Sequence, residues 1–192
     1  MPQRIIVLLS GPIAVGKTSV RDSLIQNEGF DYIRSSAYLR QAAEGLMDRR
    51  ALQELGDRLD FETDYRWLVE RVAIPAFQAS PSQTKWLVDA VRKENQVSHF
   101  RNMYGEISYV YHAHLNAPES VLMRRFDQRL REAGGDGEGG TYEAAIEHEN
   151  ERSARALIHI ADKIYDTSLD LPEAIAKKIC VDLQARGAQF TG

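Results

Sequence analysis

The sequence predicts an α/β fold: a five-stranded parallel sheet with helices on both faces. Three observations predict it. Five short apolar or β-rich runs recur along the 192 residues, separated by segments of helical character. That alternation builds a parallel sheet through right-handed crossovers. The first run, Ile5-Ile6-Val7-Leu8-Leu9-Ser10, is apolar without alternation, as a strand buried on both faces would be. The mix of 43% hydrophobic and 27% charged residues is ordinary for a globular chain long enough to bury a sizeable core.

In chain order, Ile5 to Ser10 is the first strand, and Lys17 to about Asn27 a helix that Gly29 is placed to cap. Phe30 to Arg34 is the second strand, with Ser35 or Ser36 the expected N-cap of the next helix. Gly45 should interrupt that helix, and Arg49 to Leu59 should be helical. Phe61 to Phe77 should form another helix with Trp67, Leu68, Val72 and Ile74 toward the core, kinked or ended at Pro75. Trp86 to Asp89 is the third strand, Glu94 to Asn102 a helix, and Ile107 to Leu115 the fourth strand. Pro118 lies near the first turn of a helix reaching about Glu132. The glycine-rich run from Gly134 to Gly140 reads as a flexible exposed loop. Thr141 starts a further helix, Lys163 to Asp166 is the fifth strand, and Pro172 opens a closing helix. No repeat or linker interrupts the chain, so residues 1–192 read as one domain.

Composition excludes several classes. Lys and Arg number 24 against 28 Asp and Glu, a net charge of −4 that argues against a broad nucleic-acid or membrane-binding face. The single cysteine, Cys180, excludes an internal disulfide and suits a reducing compartment. No run approaches transmembrane length, and the N-terminus lacks the layout of a signal peptide. A cytoplasmic protein is expected.

Gly11-Pro12-Ile13-Ala14-Val15-Gly16-Lys17-Thr18 fits G-x-x-x-x-G-K-[ST] directly between a strand and a helix, the context a phosphate-binding loop requires. Its glycines let backbone N–H groups curl around phosphate oxygens. Gly11, Ile13, Ala14, Val15, Gly16, Lys17, Thr18 and Ser19 are the candidate nucleotide-binding residues. Lys17 can reach the β- and γ-phosphates, and the Thr18 hydroxyl can ligate Mg²⁺. Without a nucleotide, Lys17 should be a solvated charge. Asp89, at the end of an apolar strand, is a candidate second Mg²⁺ residue, with a helix cap or an ion pair as the alternative. Arg40, Arg92, Arg125 and Arg129 fall just past strand ends or on helices leaving that edge, where arginine's bidentate fork suits phosphate.

These residues resemble the P-loop nucleoside-monophosphate kinases, with their adenylate-kinase-like and deoxynucleotide-kinase relatives. Tyr32-Ile33-Arg34-Ser35-Ser36-Ala37-Tyr38-Leu39-Arg40 resembles the family segment of a strand, Ser/Thr-Gly-Asp, two apolar residues and Arg. Ser36-Ala37 stand where the family has Gly-Asp. Asp89-Ala90-Val91-Arg92 resembles the family's Asp-Gly-x-(x)-Arg turn. Arg125-Phe126-Asp127-Gln128-Arg129 resembles the Arg-x-x-x-Arg step before the lid, and Arg49 to Gly56 is similar, less specifically, to the acceptor region of deoxynucleotide kinases.

The resemblance implies a three-layer P-loop NTPase fold with an acceptor-binding insertion at about 36–80 and a short glycine-rich lid at about 130–150. It implies ATP and Mg²⁺ as cofactors and a small phosphorylated acceptor. Arg40 and Arg92, with Ser35, would bind the acceptor. Arg125 would stack on the donor base and Arg129 would grip the transferring phosphate. Lys17, Arg129 and Asp89 would be catalytic.

Two rivals stay open: a kinase for another acceptor, such as dephospho-coenzyme A, a sugar acid or a nucleic-acid end, and a nucleotide-dependent regulatory protein. His112 and His114 are read as polar positions near a strand end, with a paired metal site as the alternative. Glu143, Glu147, Glu149 and Glu151 are read as a solvated acidic surface, and Trp67 and Trp86 as core.

Overall fold

The computed structural model describes residues 4–43, 49–132 and 140–188. In order these form β1 (Arg4–Ser10), α1 (Lys17–Glu28), β2 (Asp31–Arg34), α2 (Ser35–Ala42), α3 (Arg49–Glu62), a π-helical turn (Leu68–Ala73), α4 (Ile74–Ala79), β3 (Lys85–Asp89) and α5 (Glu94–Tyr104). Then come β4 (Ser108–Asn116), α6 (Glu119–Glu132), α7 (Tyr142–Glu147), α8 (Glu149–Ala156), β5 (Lys163–Asp166) and α9 (Pro172–Ala185). The sheet has five strands in the order β2-β3-β1-β4-β5, all parallel. Helices cover both faces, giving the expected three-layer α/β arrangement. The predicted glycine-rich loop, apart from Gly140, and the break at Gly45 fall on residues outside those described.

β1 is central, and its run of apolar residues follows from that place. Ile5, Val7 and Leu9 join a core with α1 and α9, while Ile6 and Leu8 join the opposite core with Trp67, Leu68, Trp86 and Phe100. Parallel strands bring their carboxyl ends to one edge. The loop after β1, Ser35 after β2 and Asp89 at the end of β3 all lie there. Gly29 caps α1 in the left-handed conformation at φ 72°, as expected.

Two local expectations are corrected. Ser35 is the first residue of α2, and Arg34 holds the cap position without a side-chain bond. The predicted helix over 61–77 is three pieces. Asp64 and Tyr65 take positive φ, 51° and 62°, and turn the chain after α3. Thr63 braces this turn, bonding the Leu59 carbonyl at 2.7 Å and the Trp67 amide at 3.0 Å. The turn lets Trp67 bury its ring, 3% exposed, and donate Nε1–H to Asp60 at 2.7 Å. Pro75 follows the π-helical turn and sits in the first turn of α4, where its missing N–H is tolerated. Among the described residues no helix is long and apolar enough to cross a membrane.

Candidate functional site

The loop from Gly11 to Gly16 is shaped by close approach to the sheet. Gly11 has φ 143°, and a Cβ there would lie 2.5 Å from the Leu115 carbonyl oxygen of β4. Glycine alone allows that passage. Gly11, Ile13, Ala14, Val15, Gly16, Lys17, Thr18 and Ser19 together line a cavity of about 600 Å³.

Lys17 is not the solvated charge expected. Its Nζ donates to the Gly11 and Pro12 carbonyls at 2.6 and 2.8 Å, so the loop's own backbone positions it. Burial lowers its pKa to about 8, against the pull of Asp89 and Glu151 and with the push of Arg92 and Arg129. Those four charges come from the ends of β3, α6 and α8, so the fold gathers them around one ammonium.

Asp89 carries an ion pair. Its Oδ2 lies 3.4 Å from Arg21 Nη1, and its backbone carbonyl accepts from the Tyr32 hydroxyl at 3.3 Å. Burial raises the Asp89 pKa, opposed by Lys17, Arg21 and Arg92. Arg21 was not singled out from sequence, although it lies one helical turn after Lys17, on the same face. Thr18 lines the loop cavity and Asp89 acts on the Lys17 charge beside it; both carry hard oxygen donors of the kind that suits Mg²⁺. Among the described residues no group of three or more His, Cys, Asp or Glu side chains could hold a metal ion.

The arginines divide. Arg129 lines the loop cavity. Arg125 lies beside the loop, donating to the Val15 carbonyl at 3.4 Å, to Thr167 Oγ1 at 2.8 Å and to the Thr167 carbonyl at 2.7 Å. It ties the loop to the segment after β5. Ser35, Arg40 and Arg92 come together on a second cavity of about 610 Å³, walled by Leu39, Leu52, Trp67 and Leu68. The two cavities adjoin, sharing Gln53, Asp57, Ala90, Arg92 and Asn150.

Three features escaped sequence reading. Glu151 is no solvated surface charge: its Oε1 accepts the Ile13 amide of the loop at 2.8 Å and the Arg155 Nε at 3.0 Å. Arg155 in turn bonds Glu119 at 2.9 Å and the Tyr142 hydroxyl at 2.9 Å, joining α6, α7 and α8. His112 and His114 are buried, not placed at a wet strand end. Both ring systems meet the Ser10 hydroxyl, His112 Nε2 at 2.7 Å and His114 Nδ1 at 2.8 Å. The register that pairs Leu8 with His112 and Ser10 with His114 brings them there. Burial lowers both pKa values to about 4, so both rings are neutral near pH 7. Asp60 is the third, a buried carboxylate on the second cavity.

No protein-family model matches the chain, and no curated protein matches its sequence. Solved structures do. The chain resembles shikimate kinase from Acinetobacter baumannii in complex with shikimate, at TM-score 0.57 and 14% identity over 97% of this chain and 96% of that one. It resembles an unliganded sugar kinase from Janibacter, at TM-score 0.53 and 15% identity over 95% of each chain. It also resembles the tunicamycin resistance protein of Deinococcus radiodurans, at TM-score 0.53 and 17% identity over 99% of each. At these identities the likeness is one of fold: a three-layer α/β architecture held in common with solved kinases.

Proposed function

We propose that the chain is an ATP-dependent phosphotransferase moving the γ-phosphoryl group to a small acceptor, a (deoxy)nucleoside monophosphate. One observation carries this: a cavity lined by the phosphate loop opens into a second cavity bearing Ser35, Arg40 and Arg92. A protein that only bound or slowly hydrolysed a nucleotide would have no use for arginines on a second, adjoining cavity. The activities named for two of the fold's neighbours, a shikimate kinase and a sugar kinase, support phosphoryl transfer to a small molecule.

Phosphoryl transfer needs positioning and charge neutralisation more than covalent chemistry from the protein. Loop amides from Ile13 to Ser19 would cradle the donor phosphates. Lys17, already aimed by the Gly11 and Pro12 carbonyls, would exchange those bonds for phosphate oxygens. Arg129 would meet charge developing on the transferring group, and Arg40 and Arg92 would hold the acceptor phosphate in line. Thr18 and Asp89 would hold Mg²⁺, which supplies further neutralisation of the phosphates when bound. The test is ADP release from ATP-Mg with a panel of nucleoside monophosphates, dephospho-coenzyme A, shikimate, sugar acids and nucleic-acid ends. Turnover with monophosphates alone is the expected result. Turnover with a hydroxy acid alone would replace the acceptor, and slow ATP hydrolysis without any acceptor would favour a regulatory NTPase.

A further inference from the structure

We propose that the second cavity selects monophosphates whose base carries an amino group, and that Asp60 reads that group. This rests on the assignment of the cavity to the acceptor monophosphate, and it adds the class of base: guanine, cytosine or adenine over uracil or thymine.

The cavity is polar at two places of opposite sign. Arg40 and Arg92 are exposed, whereas Asp60 is 6% exposed yet still lines the cavity. A phosphate therefore meets its partners at the open side, and the rest of the molecule extends toward the carboxylate. Between them, Leu39, Leu52, Leu68 and the Trp67 ring make apolar walls. Tyr38 stacks behind Trp67 with ring centroids 5.8 Å apart, fixing that wall. Flat, apolar-faced and edged with polar groups, a nucleobase suits such a space.

Asp60 is held in one orientation. Its Oδ1 accepts the Trp67 indole N–H at 2.7 Å and the Gln96 amide N–H at 2.9 Å. Gln96 is itself fixed, because its Oε1 accepts the Arg92 backbone N–H at 2.9 Å. With two donors at Oδ1, the other oxygen, Oδ2, takes no hydrogen bond from any described residue, and it is not sealed off among the fully buried atoms that lack a partner, so it is left to the cavity. A carboxylate oxygen can only accept. It bonds the amino groups of guanine, adenine or cytosine, and it repels the carbonyl oxygens that flank the ring N–H of uracil and thymine. Asp57, one turn earlier on α3, is tied through both oxygens to Asn150 Nδ2 at 2.8 and 3.0 Å, whereas Asp60 is held through Oδ1 alone.

The experiment compares kcat/KM for GMP, CMP, AMP, UMP and TMP at saturating ATP-Mg, in the wild type and in Asp60→Asn. The best amino-bearing monophosphate should exceed UMP and TMP by roughly ten- to hundredfold, the range set by one charge-assisted bond against an unpaired buried acceptor. In Asp60→Asn the two donors hold the amide oxygen at the Oδ1 position, so the NH₂ faces the cavity. Preference should then move toward UMP and TMP by a similar factor, with the ATP KM unchanged. A purely structural role would lower every acceptor alike. Urea unfolding followed by tryptophan fluorescence shows whether the variant is folded, and the wild-type panel decides without it. Monophosphate turnover with no amino preference, or a folded variant that weakens all acceptors equally, overturns the role of Asp60 and leaves the kinase assignment intact. Failure of every monophosphate overturns both.

Discussion

Acidification should destabilise this protein through His112 and His114 well before its carboxylates titrate. The two rings are 0% and 1% exposed, and burial holds both near pKa 4 against 6.5 in an unfolded chain. Because the folded-state values are depressed, the unfolded chain takes up protons first as pH falls below 6.5, and stability is lost until pH 4. At pH 5 an unfolded imidazole is almost fully protonated and a buried one almost wholly neutral. The difference of about 1.5 pH units below 6.5, at about 1.36 kcal/mol each, costs about 2 kcal/mol per ring. Two rings give about 4 kcal/mol between pH 7.5 and 5, a large part of a total of about 5–15 kcal/mol. Asp60 and Asp89, raised by burial, take protons on the folded side and oppose the loss at the acid end. The assay is urea unfolding at fixed pH values from 7.5 to 5, read from the buried Trp67 and Trp86. Replacing one ring, His114→Gln, should roughly halve the slope of stability against pH, whatever it does at pH 7.5. A wild-type unfolding free energy flat from pH 7.5 to 5 would refute the burial of neutral histidines.

Lys17→Ala should fold, by its urea midpoint, and lose roughly 10²- to 10³-fold in turnover, since one electrostatic donor to a transferring group is worth about that much; normal phosphoryl transfer by the folded variant would remove the loop from the mechanism. Arg129→Ala should lower kcat and kcat/KM together, the mark of a contact made in the transition state, and a rise in the ATP KM alone would contradict that role. Arg40→Ala and Arg92→Ala should each raise the acceptor KM by roughly ten- to hundredfold with ATP binding nearly unchanged. Arg→Lys should recover part of it, because an ammonium lacks the bidentate fork. Loss of ATP affinity with acceptor affinity kept would move both arginines to the donor site.

The sheet and the loop were legible because their signals are local. An unbroken apolar run marks a central strand, and the loop is defined by spacing within eight residues. Placement of Ser35 and Asp89 at the loop's edge followed from parallel alternation alone. What was missed depends on distant partners. Glu151 looks like any acid on a polar helix until α8 is laid against Ile13, 138 residues earlier. His112 and His114 acquire meaning only from the register that sets them beside Ser10. The sequence predicts a boundary between two helices at about residue 60, but α3 runs on to Glu62, and no glycine or proline marks the turn that ends it. That turn is driven by the burial of Trp67 and the bond of its indole to Asp60, which outweigh two left-handed residues costing about 1–3 kcal/mol each.

The first turn of α8 is fastened through polar contacts to separate parts of the molecule: His148 to Gln53 at 2.9 Å, Glu149 to Lys93 at 3.3 Å, Asn150 to Asp57 at 2.8 Å and Glu151 to Ile13 at 2.8 Å. Groups of this kind can trade each bond for one with water. The bond at Ile13 differs, because its amide already serves an anion. On the proposed assignment a phosphate arriving there would displace a carboxylate, so the exchange would return only the difference between two similar bonds. A nucleotide's contact at that amide would then loosen one of the four ties that hold the first turn of α8 instead of adding its full strength to binding.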